Sequence, residues 1–131
     1  MNKKGFTLVE ILAVITILAV IALITTPIIF GVIEDSRMNT FTRSVEEMRN
    51  VIDMDYNEYG RSGRVTYKYS NNKLVCVECD GGSDLELDFT GEIDDASGTF
   101  YNNDGEITLT VENGVYKATD DGSGEVVTVK K

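Results

Sequence analysis

Three hydrophobic patterns succeed one another along the chain. From Ile11 to Ile33 no residue is charged, and Ile, Leu, Val and Ala fill nearly every position. A helix apolar on all sides over that length can cross the roughly 30 Å of a bilayer's hydrocarbon. From Met38 the apolar positions thin to Met38, Phe41, Val45, Met48, Ile52, Tyr56 and Tyr59, at steps of three and four. Charges stand between them, as at Arg37, Arg43, Glu46, Glu47, Arg49, Asp53 and Asp55. That spacing predicts a helix with one buried face, its Met and aromatic stripe being core, and Tyr59-Gly60 is a C-terminal stop. A helix from Phe6 to about Tyr59 would be roughly 80 Å long.

Beyond Gly60 the period changes to two. Turn residues at Asn71-Asn72, Asp80-Gly81-Gly82-Ser83, Asn102-Asn103-Asp104-Gly105, Asn113-Gly114 and Asp121-Gly122-Ser123-Gly124 divide the remainder into short runs. Strands are expected at Arg64 to Ser70 with Val65, Tyr67 and Tyr69 inward, Lys73 to Val77, and Asp84 to Phe89 with Leu85, Leu87 and Phe89 inward. Glu106 to Glu112, Val115 to Thr119 and Glu125 to Lys130 complete the set. Asn113-Gly114 reads as a type I′ hairpin turn pairing Glu112 with Val115, so Val111 faces Tyr116 and Leu109 faces Ala118. The fold class is α+β: an antiparallel sheet of about four to six strands whose single apolar face needs the Met38 to Tyr59 stripe to cover it.

Composition narrows the chemistry. The formal charge is −10, from 12 basic and 22 acidic residues, so nucleic acid is an unfavourable partner. The one basic patch to weigh is Arg61, Arg64, Lys68 and Lys73. With no His and no nucleophile-plus-base arrangement, neither an enzyme, a cofactor nor a metal is expected. Acidic groups at Asp94-Asp95, Asp104-Gly105-Glu106 and Asp120-Asp121 do not follow the calcium-loop pattern and read as solvated turns.

The cysteines are Cys76 and Cys79. On an extended strand their Cα atoms would lie about 10 Å apart, beyond disulfide reach, so a bridge requires a bend at Glu78 to Cys79. Asp80-Gly81-Gly82 permits that bend. A disulfide and two packed thiols both remain open, while zinc lacks a second ligand pair.

The front of the apolar segment is distinctive. Lys3 and Lys4 precede it and Glu34 and Asp35 follow it, which leaves the N-terminus cytoplasmic and the acidic remainder outside. Past its middle it runs into Thr25-Thr26-Pro27-Ile28-Ile29-Phe30 without the small-residue site of a secretory signal. Pro27, with Gly31 one turn on, predicts a kink or melted segment, whose freed hydrogen bonds the Thr25 and Thr26 hydroxyls could take up. Glu10 is the costly residue, since a carboxylate in an apolar helix loses up to about 3 kcal/mol near the bilayer centre.

The stretch Lys3-Lys4-Gly5-Phe6-Thr7-Leu8-Val9-Glu10 resembles the leader and first mature residues of type IV prepilins. The resemblance implies cleavage between Gly5 and Phe6 by a prepilin peptidase, N-methylation of Phe6, and a Glu10 that receives the freed amino terminus of a neighbouring subunit. It implies a pilin-like lollipop with four parts: leader 1–5, transmembrane and filament-core helix 6–33, amphipathic helix 34–59 and sheet head 60–131. The expected protein is a single-pass membrane precursor, then a subunit that self-associates into an extracellular filament with the pilus assembly machinery. The alternative is a pseudopilin or minor pilin of a type II secretion-like or DNA-uptake machine.

Overall fold

The computed structural model describes residues 5–91, 93 and 95–131; residues 1–4 of the expected leader, and Asp94, lie outside the described residues. One helix, α1, spans Leu8–Glu58, and seven strands follow: β1 Arg64–Ser70, β2 Lys73–Asp80, β3 Ser83–Glu86, β4 Ser97–Asn103, β5 Glu106–Glu112, β6 Tyr116–Asp120 and β7 Val127–Lys130. The chain divides into two compact units, Met1–Arg37 and Met38–Lys131.

In the first unit α1 runs unbroken across Pro27 and Gly31, without the melted segment the sequence suggested. Pro27 deprives the Leu23 carbonyl of its helical donor. The Thr25 hydroxyl donates to the Ile21 carbonyl at 2.9 Å and that of Thr26 to the Ala22 carbonyl at 2.6 Å, so neither takes up the bond Pro27 frees. What these hydroxyls do is hide their own polarity: with Thr16 donating to Leu12 at 2.7 Å, the span's hydroxyls are satisfied within the helix, as lipid requires.

The second unit is built on one sheet of order β3-β2-β1-β4-β5-β6-β7, antiparallel throughout. Phe41, Val45, Met48 and Ile52 are buried in one cluster with Tyr67, Tyr69, Leu74, Phe100, Leu109, Val111 and Ala118. The helical stripe thus covers the sheet's apolar face, with Phe41 and Tyr116 ring centroids 5.7 Å apart. Tyr59 departs from the expected stripe and is exposed.

Two expectations about the strands are corrected. β4 was not foreseen, yet it lies between β1 and β5 in the middle of the sheet. Asn102-Asn103 had been assigned to a turn; only Asp104 and Gly105 take left-handed φ, 54° and 99°, and the two Asn belong to the strand. The second correction concerns the last hairpin, where Glu112 pairs with Lys117, Val111 with Ala118 and Leu109 with Asp120. The turn is centred on Gly114-Val115 because the Asn113 carboxamide accepts the Val115 and Tyr116 amides at 2.8 and 2.7 Å, the role of Asn at the first turn position. The register moves by an even number of residues, so Ile107, Leu109, Val111, Tyr116 and Ala118 stay on the buried face.

Candidate assembly site

Thr7 begins the site. Its hydroxyl oxygen accepts the backbone N–H of Glu10 at 3.2 Å, which makes Thr7 the N-cap of α1 and places Glu10 three residues in, the arrangement of a capping box. The sequence signal for this is Thr7-x-x-Glu10, four residues at the start of the apolar run. A carboxylate in the first helical turn is favoured by the exposed amides there, so Glu10 has a reason to sit at this position before any partner arrives.

Phe6 precedes the cap and is 83% exposed. Together with Glu10, Ile11, Ala13, Val14 and Ile15 it borders a surface hollow of about 570 Å³. Gly5, the residue before the expected cut, is exposed and open around its Cα. Among the described residues no side chain packs against Gly5.

The apolar face continues without interruption. From Phe6 to Ile33 every residue is exposed except Thr25, and the helix here is long and apolar enough to cross a membrane. No other helix of the described residues is available to cover this surface. It is chemically suited to lipid or to other apolar helices.

The remaining candidates are structural. Cys76 and Cys79 form a disulfide with their Cα atoms 5.6 Å apart. The bend that brings them together is at Glu78, whose φ is 59°, inside a register shift between Cys76 and Asp80; the Asp84 carboxylate accepts the Glu78 amide at 3.2 Å.

The helix end takes Arg61 out of the basic patch. Gly60, at φ 58°, lets its amide reach Asn57 and that of Arg61 reach the Tyr56 carbonyl at 3.0 Å, a Schellman cap. The cap delivers Arg61 to the buried Asp55, Nε to Oδ2 2.9 Å, where Tyr67 also donates its hydroxyl at 2.8 Å. The bond to Asp55 holds the Arg61 guanidinium above its ordinary range. Burial first, then the same carboxylate, pushes the Tyr67 phenol well above the usual tyrosine range. Arg64 instead lies over the Tyr101 ring at 4.1 Å.

Two of the acidic turns are likewise not merely solvated. Asp104 accepts the Gly63 amide at 3.0 Å and meets the Tyr56 hydroxyl at 3.1 Å. Asp120 is buried, pairs with Arg49 at 3.0 Å and accepts the amides of Gly122 and Gly124.

A family model described as prokaryotic N-terminal methylation motif matches residues 1–26. That match, over the N-terminal segment, is to the type IV pilin and prepilin-like family, and together with the uncovered apolar helix it fits a membrane-anchored precursor. That motif points to a structural protein rather than an enzyme. A second family model, described as coiled coil, matches residues 39–126; the chain belongs with the sequences it describes by pattern alone, because residues from Arg64 onward are sheet. No curated protein and no solved structure matches the chain.

Proposed function

We propose that this protein is the structural subunit of a type IV pilus-like extracellular filament, stored in the membrane as a prepilin and assembled through its N-terminal helix. The observation that carries the reading is the pairing of a methylation motif at residues 1–26 with a helix whose apolar side chains are exposed from Phe6 to Ile33. Cleavage after Gly5 would free an amino group at Phe6, and Glu10 of a neighbouring copy would receive it. Their attraction grows as apolar helices exclude water between them. The sheet unit would then form the filament surface, and Pro27 with Gly31 would supply the helix's weak point during departure from the bilayer.

The test is chemical and then morphological. Mature protein from cells is expected to begin at N-methylated Phe6, and Glu10→Ala is expected to insert in the membrane but yield few sheared filaments. A mature chain that keeps Met1 to Gly5 would reduce the protein to a tethered domain. Labelling along whole filaments supports the major-subunit role; labelling confined to tips or to the membrane supports a minor pilin or pseudopilin instead.

A further inference from the structure

The face of the sheet turned away from α1 carries no helix among the described residues. On it β1 presents Lys68 and Ser70, β4 Ser97 and Thr99, and β5 Thr110 and Glu112, alternating with the buried Tyr67, Tyr69, Phe100, Leu109 and Val111. The ladder sets Lys68 opposite Thr99, Thr99 opposite Thr110 and Ser97 opposite Glu112. These six residues, with Tyr69 and Gly98 between them in the strands, border a hollow of about 370 Å³. Lys73, opposite Ser70 in the ladder and exposed, stands beside it. Among the described residues the side chains of Lys68, Lys73, Ser70, Ser97, Thr99 and Thr110 form no hydrogen bond or ion pair. Glu112 is engaged by Lys131 at 3.5 Å.

We propose that this hollow binds a single carboxylated sugar ring, its carboxylate on Lys68 and its hydroxyls on the Ser and Thr side chains. Serine and threonine hydroxyls both donate and accept, so a cluster of four matches a ligand whose own groups do the same. The basic stretch is short. In the row of Lys68, Val75 comes next and then Glu86, while Glu112 borders the hollow on its β5 side. One carboxylate fits between these two acids, and Glu112 can accept a sugar hydroxyl. A nucleic-acid backbone, with its repeated charges, would run on to meet both acids and the chain's net charge of −10. Nor is the neighbouring Tyr101 ring open for a base to stack on, because Arg64 lies over it. The hollow is contained within one sheet unit, so the inference goes beyond the filament reading and does not depend on it.

The test is saturation-transfer NMR on the detergent-solubilised full-length chain with sodium glucuronate as the probe, and with glucose, sodium sulfate and a short DNA duplex as competitors. Glucuronate is expected to bind roughly tenfold more tightly than glucose, the worth of one hydrogen bond to a charged group. Lys68→Gln should weaken glucuronate roughly tenfold and leave glucose unchanged, and Lys68→Arg should keep most of the affinity. Thr99→Val should cost about threefold for both sugars. Arg43→Gln, at an exposed position of α1, should change neither. Absence of saturation transfer, or transfer that Lys68→Gln leaves intact, overturns the site. Displacement of glucuronate by sulfate at equal concentration overturns the sugar assignment in favour of a simple anion. Displacement by DNA at lower concentration overturns it in favour of a nucleic-acid backbone.

Discussion

The two halves of α1 are the same secondary structure with opposite relations to their surroundings. Up to Ile33 the apolar side chains point in all directions and are exposed, whereas from Phe41 to Tyr56 a narrow stripe is buried under a sheet. The first half therefore has its apolar energy still to be released, into lipid or other helices, and the second has already released it within its own unit. Apolar density marks a surface for association; apolar periodicity marks a core.

The largest effect that tests this contrast falls at the helix end. Asp55→Ala leaves Arg61 beside Tyr67 without its carboxylate, and removal of one partner from a largely buried pair costs about 3 to 5 kcal/mol. Urea unfolding of the detergent-solubilised full chain, followed by tyrosine fluorescence, should show it; an unchanged midpoint would mean that the pair does not brace the unit. Met48→Ala, at a fully buried position of the stripe, is expected to cost about 2 to 5 kcal/mol in the same assay.

A smaller effect is set by pH. Tyr67 and Tyr56 both have phenols raised by burial, so the folded chain holds protons that the unfolded chain releases near pH 10. Stability is full below that pH and falls as it rises further. Tyr67→Phe should flatten this alkaline loss at a cost of about 1 kcal/mol at neutral pH, measured as the pH dependence of the unfolding midpoint. The smallest effect belongs to the other half: Ile17→Ala, at an exposed position, should move the sheet unit's unfolding by no more than about 0.5 kcal/mol. A loss there as large as that of Met48→Ala would erase the distinction between the halves.

Much of this was readable without coordinates. Steps of three and four gave the buried face from Phe41 to Tyr56, and alternation gave β1 and β5 at their observed limits. The turns at Asn71-Asn72 and Gly81-Gly82 were placed by residues that accept left-handed φ. β4 escaped because Gly98 and the Asn102-Asn103 pair are poor strand signals taken alone. In the sheet Gly98 is required, since a Cβ there would meet the Val111 side chain at 2.6 Å. The capping role of Thr7 is legible in the four-residue pattern Thr7-x-x-Glu10.

Local periodicity thus determined the two kinds of helix, the sheet class and the inward sets of most strands, because which face is apolar depends only on neighbours a few positions away. Strand order, the shifted last hairpin, and the meeting of Asp55, Arg61 and Tyr67 were decided by the tertiary structure. Those features depend on which distant segments share the cost of burial: a carboxylate, a guanidinium and a phenol that look solvent-bound in sequence become mutual partners only once helix and sheet close over them.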